Sequence, residues 1–381
     1  MSRLEMPDPQ QELADLSAAV LLRTLKPLDS PTGPRVTRNG RELWNFASND
    51  YLGLASDEEL AEAFIDGVRK FGAGSAASRL VCGTLPPHRL LEEALAAAKG
   101  TEASLVFSSG FATAVGSLPA LAGKDDVLLL DKLCHASLID GARLSGATIR
   151  VFPHNDTAKL ARLLEGIRAK QPSARLIVVT ESVFSMDGDL CPLTEIIELK
   201  DRHGALLFLD EAHAFGVLGP QGMGLAADLG VQSRVDFQMG TFSKAAGLSG
   251  GYLATSATWR DLLVNRARSF IYSTAPPPAL AHATMASLER IRSADGDLRR
   301  QQLRGNIAVL SAKHPSPIVP VLLGSNDAAL ATSARLEELG FLVPAIRYPT
   351  VPRGTARLRI SLSAAHPSDA IATFAKAISS C

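Results

Sequence analysis

The alternation of hydrophobic and polar positions divides the chain into three stretches. Between Pro9 and Leu25, Leu13, Leu16, Val20 and Leu21 recur at helical spacing, which predicts an amphipathic helix. A Pro/Gly-rich loop from Lys26 to Pro34 leads to a short strand, Arg41–Phe46, and a structured loop, Ser48–Leu54. A helix is expected over Asp57–Phe71, with Asp57 capping it, because an aspartate oxygen accepts the free N–H groups of a first turn. Gly72–Arg79 reads as a small-residue loop and Pro87–Lys99 as a helix closed by Gly100.

After residue 100 a rhythm begins. Strand-like runs at Ser104–Phe107, Val127–Asp131, Thr148–Phe152, Leu176–Thr180, Leu206–Asp210, Phe237–Gly240 and Gly251–Thr255 are spaced by helical stretches at Phe111–Leu121, Ser137–Leu144, Thr157–Lys170 and Leu193–His203. Short apolar strands alternating with helices predict an α/β protein with a mostly parallel central sheet covered on both faces. From about Met285 the pattern changes to a long helix and then an α+β run: Ile318–Leu323, Asn326–Leu339, Arg357–Leu362 and Ser368–Ser379. The expected organisation is an N-terminal helix and strand (residues 1–45) packing with a small C-terminal domain (285–381), and a large domain between them (46–284).

Composition narrows the partners. The 381 residues are 46% hydrophobic and 20% charged, ordinary for a globular chain. Lys+Arg and Asp+Glu are both 39, so nothing in the charge favours nucleic acid or an acidic membrane. No apolar run is long enough to span a bilayer, and the first residues lack the apolar core of a signal peptide, so a cytoplasmic location is expected. Cys82, Cys134, Cys191 and Cys381 show no CxxC and read as reduced thiols, with no metal site.

In parallel sheets ligands gather at the carboxyl ends of strands, and the candidate chemistry lies there. Lys244, in Met239–Gly251, sits among small residues that permit close backbone approach and a lowered pKa, as a Schiff-base lysine requires. Leu209-Asp-Glu-Ala-His213 places Asp210 at a strand end, where a carboxylate can keep a pyridine nitrogen protonated. Asp-Glu-Ala-His is also a helicase signature, but the phosphate loop that reading needs is missing: Leu118 stands where the first glycine should be, and Asp125 follows Gly123-Lys124. Phe107-Ser-Ser-Gly-Phe111 offers a helix start to a phosphate. His135 follows a strand and could stack on a planar ring; Ser185 could reach a phenolic oxygen; Thr241 and Ser243 flank the lysine and could contact phosphate. Gly247-Leu-Ser-Gly-Gly251 matches GxSxG, with Asp327 and His366 following in hydrolase order, but a strand is expected after Ser249 where an elbow needs a helix.

The ordered motifs FSSGF, DKLCHAS, TESVFSMDGD, DEAHAFGVLG, TFSK, IYST and ARLRISLSAAH resemble those of the α-oxoamine synthases, pyridoxal-phosphate enzymes of fold type I, from about Asn45 to the C-terminus. The resemblance implies a pyridoxal 5'-phosphate cofactor bound covalently by Lys244, with Asp210 on the ring nitrogen, His135 stacked on the ring, and His213 and Ser185 near the phenolic oxygen. It implies phosphate contacts from Ser109, Gly110, Phe111 and Thr241. Ser273 and Thr274 would reach the phosphate of a partner subunit, so the active sites of a homodimer would be shared. Arg359 would bind the amino-acid carboxylate with Asn49 nearby, and Arg23 the acyl substrate. SNDYLGL, HND and PTVPRGTARLRISLSAAH are most similar to members that condense L-alanine with a pimeloyl thioester of CoA or acyl carrier protein, losing CO2, in biotin synthesis. Sister enzymes using glycine or serine are the alternatives. One departure is Ser243, where other members carry glycine.

Overall fold

The computed structural model describes residues 8–380; Cys381 and the opening MSRLEMP lie outside them. The strands in chain order are β1 (Arg35–Arg38), β2 (Arg41–Asn45), β3 (Ala103–Phe107), β4 (Val127–Asp131), β5 (Thr148–Phe152), β6 (Leu176–Glu181), β7 (Leu206–Asp210), β8 (Phe237–Thr241), β9 (Gly251–Thr255), β10 (Ile318–Gly324), β11 (Phe341–Leu342), β12 (Ala345–Ile346) and β13 (Ala356–Ser361). The principal sheet has the order β3-β9-β8-β7-β6-β4-β5. Strands β8, β7, β6, β4 and β5 are parallel, and β9 runs antiparallel to both β8 and β3. The expected mostly parallel sheet is therefore present.

Successive side chains of a strand face opposite ways, and here each side has its own core. Leu128 and Leu130 of β4, Ile177 and Val179 of β6 and Phe208 of β7 pack with Leu118, Leu138 and Leu263 from the helices Gly110–Leu121, Ala136–Ser145 and Ala257–Arg266. Their neighbours Val127, Leu129, Leu176, Val178, Leu207 and Leu209 pack with Leu95, Leu160, Ile197 and Leu288 from the helices Pro86–Lys99, Thr157–Lys170, Leu193–Arg202 and Pro278–Arg292. Burial on both faces is why these strands are nearly continuous apolar runs.

Two smaller sheets complete the chain. Strand β2 pairs antiparallel with β1 and parallel with β11, so the N-terminal strands share a sheet with a strand of the C-terminal part. Strand β13 lies between β10 and β12, antiparallel to both. Asp57 caps the helix Glu58–Phe71, its Oδ1 accepting from the N–H of Glu59 at 3.1 Å. Gly100 closes the helix Pro86–Lys99 in the left-handed conformation, φ 66°.

Two expected elements differ. The N-terminal helix spans only Pro9–Ala18 and buries no residue. It ends because Val20 turns to φ 57°, and Leu13 and Leu16 are left 53% and 41% exposed. The long helix expected from Met285 is two, Pro278–Arg292 and Ala294–Leu310. Ser293 separates them: its hydroxyl donates to Arg290 O at 2.8 Å and accepts from the Gly296 N–H at 3.5 Å, closing one helix while capping the next. A short π-helical turn, Arg79–Gly83, begins where the small-residue loop was expected to end.

Candidate active site

The carboxyl ends of β3, β4, β6, β7 and β8 converge on a pocket of about 260 Å³ lined by residues including Ser109, His135, Glu181, Asp210, His213 and Lys244. Each strand end contributes one piece. After β3, Ser109 caps the helix Gly110–Leu121, its Oγ accepting from the Ala112 N–H at 3.0 Å. The N–H groups of Gly110 and Phe111, in the first turn, have no carbonyl partner within the helix. The approach of β9 is close: a Cβ on Gly251 would stand 2.5 Å from Thr113 Oγ1 and 2.7 Å from Gly110 N.

After β4 the chain turns to His135. The His135 N–H donates to Glu181 Oε1 at 2.5 Å, and its Nδ1 accepts from the Ser137 N–H at 3.2 Å while lying 2.8 Å from Ser137 Oγ. Ser137 thus holds the ring through Nδ1, while Glu181 holds the backbone at the same residue. After β7, Asp210 Oδ1 accepts from the Ala212 N–H at 2.9 Å, and His213 Nδ1 lies 2.7 Å from the Tyr51 hydroxyl. After β8, Thr241 Oγ1 donates to Gly250 O at 2.7 Å and lies 2.8 Å from Ser243 Oγ, so the serine that departs from the family pattern is tied to the threonine beside Lys244.

Burial sets the electrostatics. It pushes Asp210 up, against the pull of Lys244 and the Ala212 N–H, and it pushes Glu181 well above the carboxylate range, reinforced by Asp210. It pushes Lys244 down, opposed by Asp210 and Glu181, and lowers His135, again against Asp210. His213 falls well below the usual imidazole range through burial and the nearby Lys244. A lysine drawn toward its neutral amine beside a carboxylate and two imidazoles can act as a nucleophile and as a base.

Residues outside the lining complete the picture. Arg359, on β13, is buried; it donates from Nε to Ser185 O at 2.6 Å and from Nη1 to Asn49 Oδ1 at 3.0 Å and Ser361 Oγ at 2.7 Å. The structure thus brings together Ser109, Gly110, Phe111, His135, Asp210, His213, Thr241 and Lys244, with Ser185, Asn49 and Arg359 adjoining. Ser273 and Thr274 lie on a segment bridged to Ser78, away from the pocket lining. Arg23 is exposed, reaching Thr350 Oγ1 at 3.2 Å. Sequence reading passed over Glu181 and Tyr51, although both stand in quoted motifs; a carboxylate at the end of an apolar strand, like Asp210, was the available signal for Glu181.

The hydrolase arrangement is absent. Ser249 is exposed in the turn before β9, and His366 is buried with its nitrogens bound to Asn45 O and the Ser363 N–H. No helix among the described residues is long and apolar enough to cross a membrane.

A seven-stranded sheet with this lysine, aspartate and histidine at its strand ends defines a fold type I pyridoxal-phosphate-dependent transferase. The chain belongs to the aminotransferase class I and II family, whose model matches residues 41–378, and within it to the α-oxoamine synthases. It is 49% identical to the 8-amino-7-oxononanoate synthase of Anaeromyxobacter dehalogenans over 96% of this chain and 93% of that one. Among solved structures it resembles a serine palmitoyltransferase variant from S. paucimobilis with a bound PLP–myriocin aldimine (TM-score 0.91, 28% identity, covering 97% of this chain and 96% of that one). It also resembles the 8-amino-7-oxononanoate synthase of Francisella tularensis (TM-score 0.76, 28% identity, covering 89% and 97%).

Proposed function

We propose that this chain holds pyridoxal 5'-phosphate in the strand-end pocket and condenses L-alanine with a pimeloyl thioester, of CoA or acyl carrier protein, with loss of CO2. The observation that carries the reading is the convergence of Lys244, Asp210 and His135 in one pocket, in a chain close to half identical to a curated synthase of that name. The donor set fits the cofactor: a helix start and the Thr241 hydroxyl for phosphate, a strand-end carboxylate for a ring nitrogen, and a glycine cradle at Gly110 and Gly251 that a Cβ would fill.

When bound, the cofactor supplies an electron sink for a carbanion at the amino-acid Cα. Lys244 would carry it, and its amine, biased to the neutral form by burial, is the base for the Cα proton. Asp210 would hold the proton on the ring nitrogen, and His135, pinned by Ser137, would flank the ring. His213, held by Tyr51, and Ser185 would serve the phenolic oxygen. Arg359 presents a guanidinium fork to the amino-acid carboxylate, with Asn49 beside it. Ser273 and Thr274 would complete the phosphate site of a partner in a homodimer, and Arg23 would meet the acyl group. The division into residues 1–45, 46–284 and 285–381 and the cytoplasmic location belong to the same reading.

Serine palmitoyltransferase structures superpose well on the chain, but at 28% identity; the 49% identity to a synthase favours alanine and the pimeloyl thioester. The test is an absorption spectrum of the purified protein with and without borohydride, followed by peptide mapping. A visible-edge band that borohydride bleaches, with the label on the Lys244 peptide, and thioester-dependent CO2 release from alanine but not glycine, is the expected result. No band after adding pyridoxal phosphate overturns the cofactor assignment; turnover preferring glycine or serine overturns the substrate.

A further inference from the structure

His154 follows β5, outside the pocket lining, and the reaction as read above does not use it. Its ring bridges two carboxylates on different elements: Nδ1 lies 3.0 Å from Asp131 Oδ1, and Nε2 lies 2.8 Å from Asp189 Oδ2. A neutral imidazole donates from only one nitrogen, so between two ionised carboxylates both contacts are hydrogen bonds only if the ring carries two protons. The rest of the neighbourhood holds this arrangement. The Asn155 N–H donates to Asp131 Oδ2 at 2.8 Å, its side-chain amide donates to Asp189 Oδ2 at 3.0 Å, and Phe184 meets the imidazole edge-on at 4.3 Å.

The two carboxylates belong to the two segments that shape the site. Asp131 ends β4, four residues before His135, and its Oδ1 also accepts from the Leu133 N–H at 2.8 Å. Asp189 closes the turn that carries Ser185: its carbonyl accepts from the Phe184 N–H at 3.0 Å. That turn in turn supplies Ser185 O to Arg359. We propose that His154 is a permanently charged clamp that fixes the His135 segment against the Ser185 turn, a positioning role that rests on the cofactor site proposed above.

Its charge is consistent with its surroundings. Burial works against protonation, but the hydrogen bonds that the ring donates to Asp131 and Asp189 overcome it and raise the imidazolium to about 10 from 6.5. Two thiols also feel these carboxylates, Cys191 and Cys134; both are held well above their usual range chiefly by burial, and so stay neutral. Without the ring's charge, Asp131, whose side chain is fully buried, would face Asp189 across the gap with no cation between them.

The test begins with NMR of histidine-labelled protein, using His154→Gln to assign the resonance among the eight histidines. The His154 ring should stay doubly protonated between about pH 6 and pH 9, a range in which an ordinary imidazole loses its proton. Titration near the ordinary midpoint overturns the proposal, and this readout needs neither cofactor nor substrate. In the holoenzyme, His154→Gln should raise the amino-acid KM about tenfold, the loss expected for one charge-assisted hydrogen bond, and change kcat much less. Adding Asp189→Asn, which removes one of the two carboxylates left facing each other, should recover part of that loss. Unchanged KM in a folded His154→Gln protein, or no recovery in the double variant, overturns the clamp. If the wild-type protein shows neither band nor turnover, it is the cofactor reading that fails, and the NMR result still decides the charge.

Discussion

Lys99 and Glu211 form an ion pair with neither side chain exposed, and the pair sits directly behind the site. Lys99 ends the helix Pro86–Lys99, where a cation suits the helix dipole. Its ammonium also donates to Met223 O at 2.6 Å, and Glu211 Oε1 accepts from the Ala226 N–H at 3.0 Å. The pair therefore ties the segment after Asp210 to the loop 223–226. Lys99→Met leaves a carboxylate at zero exposure with no cation, a loss of about 3–5 kcal/mol for breaking a buried pair. With an unfolding entropy near 2.1 cal/mol/K per residue, a chain of this length changes by roughly 0.8 kcal/mol per kelvin, so Tm should fall by about 4–6 K. Adding Glu211→Gln keeps an acceptor for the Ala226 N–H and removes the stranded charge, so the double variant should regain most of the loss. Differential scanning calorimetry on the three proteins at one pH decides it. A Lys99→Met protein within about 1 K of wild type, or a double variant no better than the single, refutes the reasoning that charge rather than shape is at stake.

Two further predictions concern the pocket wall and the acid limit of stability. Gly251→Ala places a methyl 2.5 Å from Thr113 Oγ1 and 2.7 Å from Gly110 N; overpacking of about 1–3 kcal/mol should push the helix start away, and titration with pyridoxal phosphate should show affinity at least about tenfold weaker. His366, buried and donating to Asn45 O, is lowered by burial to about 4 from 6.5. In that window the unfolded chain takes up the proton and the folded one does not, so stability falls as pH drops from 6.5 towards 4, by about 3 kcal/mol in all. His366→Gln should flatten that acid limb in unfolding measured from pH 4 to 7, and an unchanged slope would refute the assignment.

The parts of the fold legible in the sequence are those written in local pattern. The strands of the central sheet are apolar runs because both faces are buried, and their bounds needed little correction; Asp57 and Gly100 carried cap chemistry within their own segments. Ser293 was harder, since a serine inside a periodic run breaks a helix only if its hydroxyl turns back on the backbone, as it does here with Arg290 and Gly296. The N-terminal stripe had the right spacing, but spacing alone does not supply a surface to cover it. In the site, Lys244, Asp210 and His135 stood at strand ends. Their supports come from far away in the chain: Tyr51 reaches His213 across 162 positions and Asn49 reaches Arg359 across 310, and no local pattern announces such a meeting.

The two arginines of β13 show how the C-terminal part divides its labour. Arg357 and Arg359 are two apart on one strand and so leave it on the same face, and both are buried. Arg357 pairs with Asp187 in the turn that carries Ser185. Arg359, among the described residues, forms no ion pair; its donors go to the neutral acceptors Ser185 O, Asn49 Oδ1 and Ser361 Oγ. A buried guanidinium without a carboxylate is costly unless something else supplies the charge. Its field reaches Lys244 and His213, lowering both, so it acts within the pocket's electrostatics and not beside them. On the function proposed above, the anion that would balance it is a substrate carboxylate, which would place the recognition of an amino acid on the strand that joins the C-terminal sheet to the pocket, two residues away from the structural salt bridge of Arg357.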